Sequence, residues 1–373
     1  MKISSKRLYA ISIAFSGMAL VACGGASDSA ESTSTTVAPT TVAPATVAST
    51  VAPTTAAETP ISTSTIPDPV MPLTGLPIVD ELVAIRPAIV AKIDNHPASR
   101  PQTGLNEADI VYEENVEKWT RFAAVFHSIG SDPVGPVRSG RTQDINLVTS
   151  LNRPLFVWSG GNPTVTRLIL KSDLVNMSAS AASKGGGFFR STDKKAPHNL
   201  FSKTTNIWEL DAGRGGTPPA QFAYRTDGSS ALGSAVTGLK LTMDGNMKAS
   251  WQWDTGIGKF VRNHDAKPHV DSNGVQINVD NVVVIVCEYI FSQADGNSPE
   301  AQTVGTGVAW LFTQGVWTEG TWNRPDNKSS WNLTDASGKP MLLTPGRTWV
   351  EVTREKQAVV VADGATVAET PWP

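Results

Sequence analysis

Between residues 26 and 70 the chain holds almost nothing from which a core could be built. Ser, Thr, Ala, Val and Pro recur in loose echoes, Thr-Val-Ala-Pro at 41–44 and Val-Ala-Pro-Thr-Thr at 51–55, with almost no aromatic or charged residue. Ordering a backbone costs about 1–2 kcal/mol per residue, and a segment with so little to bury cannot offset that cost. The expectation is an extended stalk, stiffened by proline and reaching up to about 3 Å per residue. Its Ser/Thr density also suits O-glycosylation. Folding is therefore left to the chain from Met71 onward, roughly 300 residues, which as a soft prior suggests two domains.

What precedes the stalk reads as an address. Lys2, Lys6 and Arg7 give a basic start, and Ile11–Val21 is an apolar run too short for a final membrane span. Leu20-Val21-Ala22-Cys23 then places a cysteine before small residues, so residues 1–22 read as a lipoprotein signal peptide and Cys23 as the lipidated first residue of the mature chain. A diacylglyceryl thioether with a further N-acyl group anchors stably, each buried methylene adding about 0.8 kcal/mol. The competing readings are an ordinary secretory signal cleaved near Ala22 and a short anchor that stays attached. Lipidation makes the membrane the first partner and the outer side of the cell membrane the expected location.

Formal net charge is only −3, which gives no basic footprint for nucleic acid. Besides Cys23 the sole cysteine is Cys287, at the end of the apolar run Val282–Cys287, where a buried structural thiol is expected. Strand character marks residues 87–93, 110–116, 122–128 and 155–158, and helical spacing marks 144–151 and 165–171. After the small, flexible Asp227-Gly228-Ser229-Ser230 the pattern changes to short strands at 239–243, 275–279, 282–287, 307–313 and 348–353. The expected fold class is α+β: stalk at 23–70, an α/β layered domain at 71–228, and a mainly β domain at 229–373.

The motif that most invites chemistry is Gly135-Pro136-Val137-Arg138-Ser139-Gly140-Arg141-Thr142 before a helix for which Ser139 or Thr142 is a suitable N-cap. Two cations at the positive end of a helix break the dipole rule, which predicts a negative group to compensate. Gly140 would let a ligand approach the backbone, and guanidinium forks suit phosphate or carboxylate. The internal alternative is that Asp94, Glu113 or Glu114 pairs with Arg138 or Arg141. Strand alternation sends Glu113 and Glu114 to opposite faces, so at most one faces such a site. Arg121 follows the short connection 117–120, which suits a hairpin returning from the Glu-bearing strand, and it joins the same cluster or forms a cross-strand Glu–Arg pair.

Arg86-Pro87-Ala88, Lys92-Ile93-Asp94-Asn95, Arg100-Pro101-Gln102-Thr103-Gly104-Leu105, Ala108–Glu113, Val134–Arg141 and Ala196-Pro197-His198-Asn199-Leu200 together resemble the YerB-like lipoproteins. Val261-Arg262, His269-Val270-Asp271, Asn281–Val284 and Pro345–Trp349 continue that resemblance. It implies a two-domain envelope lipoprotein and supplies no reaction. The layout of an acidic position, a strand and an arginine pair opening a helix is also similar to the LytR-CpsA-Psr phosphotransferases. That resemblance implies arginines on a polyprenyl pyrophosphate and a metal held by carboxylates, roles open to Arg121, Arg138, Arg141 and Asp94.

None of the five histidines forms a zinc pattern, so no metal site is expected. His198 is a candidate acid or base, its alternative being an imidazole bonded to local backbone. Gly185-Gly186-Gly187 lacks a phosphate-loop frame, and Ser159-Gly160-Gly161 lacks the Gly-x-Ser-x-Gly frame of a hydrolase. Eight of eleven tryptophans fall from Trp251 onward, as core or as a sugar-stacking surface. The leading reading is noncatalytic binding of an anionic envelope ligand or partner by Arg121, Arg138, Arg141, Asp94, Glu113 and His198. A metal-assisted enzyme acting on lipid-linked phosphates and a protein scaffold are the alternatives. No cofactor is called for, a divalent metal entering only with the enzyme, and the remaining partners are cell-wall glycan, a lipid-linked phosphate or an envelope protein.

Overall fold

The computed structural model describes residues 69–226 and 229–373. The expected signal peptide, Cys23, nearly all of the stalk, and Asp227-Gly228 lie outside the described residues.

The chain is mixed α/β, with one large sheet and few helices. Its first half carries α1 (Glu81–Ile85), β1 (Ile89–Asp94), β2 (Ile110–Asn115), β3 (Thr120–Phe126), α2 (Gln143–Val148), β4 (Leu155–Trp158), α3 (Pro163–Lys171), β5 (Val175–Ser178), α4 (Ala179–Ala182), β6 (Phe188–Arg190), β7 (Leu200–Ser202) and α5 (Thr204–Glu209). Apart from a 3-10 turn at Asp244–Asn246, the second half adds strands: β8 (Ser234–Met243), β9 (Met247–Asp254), β10 (Lys259–His264), β11 (Lys267–Pro268), β12 (Asn278–Val279), β13 (Asn281–Val286), β14 (Tyr289–Ser292), β15 (Asp295–Ala301), β16 (Gly305–Thr313), β17 (Val316–Arg324), β18 (Asn332–Asp335), β19 (Thr348–Thr353) and β20 (Ala358–Ala362). Among the described residues no helix is long and apolar enough to cross a membrane.

Both halves feed a single sheet, ordered β11-β10-β9-β8-β17-β16-β13-β19-β2-β3-β1-β4-β5. The join is β19 beside β2, parallel and in register from Thr348↔Ile110 to Val352↔Glu114. Strands β13, β19, β2, β1, β4 and β5 all run one way, with β3 antiparallel between β2 and β1. The sheet is covered on both faces, which is why β1, β2, β3, β4 and β19 are buried along their whole length. One face packs Ile89, Ala91, Val111, Phe122 and Trp349 against Trp251 of β9 and Phe260 of β10. The other packs Val90, Tyr112, Ala123 and Val350 against Leu147 of α2 and Ile169 of α3. Trp251, Trp322, Trp331 and Trp349 are core side chains. Cys287 is buried and free, and burial pushes its thiol up to about 12.

Helix α3 follows its local sequence. Asn162 caps it, its Oδ1 accepting from Val165 N at 2.9 Å, and Pro163 opens the first turn. Helix α2 departs from expectation. It is only six residues long, continued by a 3-10 turn over Thr149–Leu151, and Thr142 does not cap it. The Thr142 hydroxyl is instead bonded to Ser292 Oγ at 2.7 Å, and Asp144 Oδ2 accepts from Arg141 N at 2.6 Å. Arg138 lies upstream of any helical turn: its N–H donates to Lys92 O and its carbonyl accepts from Ser159 N, wedging residues 137–140 between β1 and the end of β4. The dipole argument for the arginine pair therefore falls. Gly140 is likewise a packing glycine, since a Cβ there would meet Ile169 and Trp158 at 3.0 Å.

Candidate functional site

Strand alternation sorts the polar residues at the carboxyl ends of β1 and β2 into three groups. Lys92 and Asp94 share one face of β1, and Glu113 and Glu114 of β2 point to opposite faces. The first group is a sealed triad. Lys92 Nζ bonds Glu114 Oε1 and, at 2.6 Å, Asp144 Oδ1, all three side chains buried. The second lies on the reverse face, where Arg262 of β10 donates to Glu113 Oε2 at 2.7 Å and contacts His269 Nδ1 at 2.7 Å. Glu113 also accepts from Thr120 Oγ1 at 2.6 Å, and its register partner Glu351 accepts from Trp251 Nε1 at 2.8 Å. Glu113 thus leaves the arginine cluster to which the sequence assigned it, because its side chain faces the β9–β10 layer.

The third group reaches solvent and is the candidate site. Asp94 is its hub: Oδ2 lies 2.6 Å from His198 Nδ1 and 3.1 Å from Arg138 Nε, and Oδ1 accepts from His96 N at 3.0 Å. The Arg138 contact is an ion pair without hydrogen-bond alignment, and its Nε has no hydrogen-bond partner. His198 does not bond local backbone through its ring, as one reading had it; the ring stacks on His96 with centroids 4.4 Å apart and planes 14° apart. Trp119 packs edge-on against His96. Burial, then the neighbouring His198, then Arg138 lower the His96 imidazole, with Asp94 opposing.

The three arginines are unequally committed. Arg141 donates through Nε and Nη2 to Glu117 Oε1 at 3.0 and 2.5 Å, and through Nη1 to Gly140 O. Arg121 donates to Ser139 O at 2.9 Å and sits 3.9 Å from Glu117, and burial with the like charges of Arg141 and Arg138 lowers it to about 10 despite Glu117. Arg138, with its side chain 27% exposed, has no hydrogen-bond partner for either terminal nitrogen among the described residues. Arg138 thus keeps an internal ion pair with Asp94 while its terminal nitrogens stay unpaired among the described residues, and Arg141 is held by Glu117, a carboxylate that the internal reading did not include. Ser139 and Ser159 face each other at 3.4 Å beside it. The position, outside the carboxyl ends of β1 and β4, is where open α/β sheets take ligands.

Sequence reasoning did not single out His96, Glu117 or Lys92. The run Lys92-Ile93-Asp94-Asn95-His96-Pro97 held the signal for His96, a histidine directly after a buried strand that ends in a carboxylate. Among the described residues no group of three or more His, Cys, Asp or Glu is placed to hold a metal ion. A groove of about 740 Å³ lined by Phe189, Phe201, Lys194 and Ser272 contains none of the candidate residues.

Residues 73–217 match the profile described as protein of unknown function (DUF3048), N-terminal domain, and residues 239–350 match the corresponding C-terminal domain. The chain is 27% identical over 305 residues to the candidate lipoprotein YerB of Bacillus subtilis (strain 168), covering 79% of this chain and 89% of that protein. The crystal structure of YerB from Bacillus subtilis shares the fold, with a TM-score of 0.69 at 24% identity over 79% of this chain and 99% of that one.

Proposed function

Because the chain belongs to the DUF3048 family, carrying both its N-terminal and its C-terminal domain, we propose that it is an envelope lipoprotein that binds an anionic ligand or partner at Arg138. The lipoprotein part is supported by the leader ending in Leu20-Val21-Ala22-Cys23 and by the name of the Bacillus subtilis relative. Anchoring by Cys23 on the outer side of the membrane predicts that Cys23→Ser moves the protein from the membrane fraction to the soluble one. A variant that stays with the membrane would count against the anchor.

One observation carries the binding part: the free terminal nitrogens of Arg138, open to solvent beside two imidazoles at the carboxyl edge of a buried sheet. Phosphate and carboxylate match a guanidinium fork, and a charge-assisted hydrogen bond contributes about 1.5–3 kcal/mol. Titration with phosphate and pyrophosphate should therefore show affinity falling about 10- to 100-fold in Arg138→Ala. Arg141→Ala should change it far less, since that side chain is held by Glu117. Unchanged affinity in Arg138→Ala, or no binding by the wild type, would refute the assignment. Turnover of a lipid-linked phosphate with divalent metal would favour the phosphotransferase reading, although Asp94, its intended metal ligand, is already engaged by His198, Arg138 and His96 N.

A further inference from the structure

The two stacked imidazoles differ in hydrogen-bonding sense. His96 Nδ1 accepts from Ala98 N at 3.1 Å, so that nitrogen bears no proton, and the lowered basicity of the ring leaves it neutral at pH 7. Its proton is then on Nε2, a donor. His198 Nδ1 faces Asp94 Oδ2 at 2.6 Å, and since a carboxylate oxygen only accepts, Nδ1 carries the proton. With that proton on Nδ1, a neutral His198 ring presents Nε2 as an acceptor. Neither Nε2 has a protein partner among the described residues, and neither is sealed from solvent.

With Arg138 alongside, the site offers donors from a guanidinium and one imidazole and a lone pair from the other. The dianion of a phosphate monoester with no other hydroxyl supplies only acceptors and would oppose its oxygen to the His198 lone pair; leaving such a group unsatisfied costs about 1–3 kcal/mol. Resting on the anion reading above and narrowing it, we infer that the ligand is a phosphate bearing a free hydroxyl, as in a phosphorylated polyol or sugar. Arg138 and His96 take the phosphate, and His198 Nε2 accepts a hydrogen bond from the hydroxyl. The geometry argues against two alternatives. A protonated His96 Nε2 has no lone pair for a bis-imidazole metal site. Rings stacked 4.4 Å apart lie on one side of a ligand, whereas in-line displacement at phosphorus needs groups at opposite ends.

The test compares glycerol 3-phosphate with n-propyl phosphate, of similar size but lacking hydroxyls, by calorimetry at pH 8, where both phosphates are largely dianions. Glycerol 3-phosphate should bind about tenfold more tightly to the wild type, one hydrogen bond's worth. His198→Ala should erase that preference, and Arg138→Ala should weaken both ligands alike. Equal binding of the two by the wild type would overturn the hydroxyl assignment and leave the anion reading standing. Failure of both to bind would overturn both readings, and a preference that survives His198→Ala would place the hydroxyl contact elsewhere. The wild-type comparison needs no variant to fold. Nitrogen-15 shifts of the imidazoles give a separate check, since a His96 ring protonated at Nδ1 would sink the inference.

Discussion

Lys92→Ala is expected to destabilise the protein by about 3–5 kcal/mol, the usual result of stripping one partner from a buried ion group. Lys92 is fully buried and is, among the described residues, the sole cation touching Glu114 and Asp144, so its loss leaves two carboxylates facing each other in the core between β1, β2 and α2. Urea titration measures the loss, and a change below about 1 kcal/mol would show that the triad is not held as described. Glu114→Gln in the same background should restore part of the stability by removing one orphaned charge. The triad also sets a pH dependence. Burial foremost, with Asp144 adding and Lys92 opposing, raises the Glu114 carboxyl from 4.5 to about 7. Between those values the folded state holds more protons than the unfolded one. This contribution to stability is complete below about pH 4.5 and is lost as pH rises through 7, so Glu114→Gln should flatten the decline over that window.

Arg262→Ala is expected to cost at least as much, about 3–5 kcal/mol, on the opposite face of β2. Arg262 is 1% exposed, donates to Glu113, and lies over the faces of Trp349, Phe122 and Trp251 at 5.1, 5.8 and 5.9 Å. Its loss abandons Glu113 beside Glu351, whose carboxyl burial and then Glu113 already hold well above the ordinary carboxylate range. It also removes the contact by which β10 grips β2. Adding Glu113→Gln to Arg262→Ala should recover more than 1 kcal/mol, an interaction typical of residues in one network. Strict additivity in that cycle, or a loss below about 1 kcal/mol for the single variant, would show that the pair contributes little.

The apolar strands were legible because a strand covered on both faces must be a continuous apolar run; the expected bounds 155–158 and 348–353 match β4 and β19. Alternation correctly separated Glu113 from Glu114. Their partners were not legible, since Arg262 lies 149 positions from Glu113 and nothing local marks Lys92 as a buried cation. The expected 275–279 strand shrank to Asn278–Val279, a short partner of β10. The arginine motif misled through a local rule applied where distant contacts govern: Thr142 is claimed by Ser292 on the β14–β15 hairpin, and Val137 N donates to Leu200 O of β7. Of the six residues proposed for the site, Asp94, Arg138 and His198 meet directly, Arg121 and Arg141 border them, and Glu113 faces away.

The parallel seam between β2 and β19 means that neither half of this chain is a portable module. Cut between the two, each fragment would display a six-residue strand, buried in the whole chain, with its amide groups unanswered, an adhesive border that invites self-association. Gene rearrangements that carry one half without the other would thus ship an unfinished sheet, and the halves are bound to travel together.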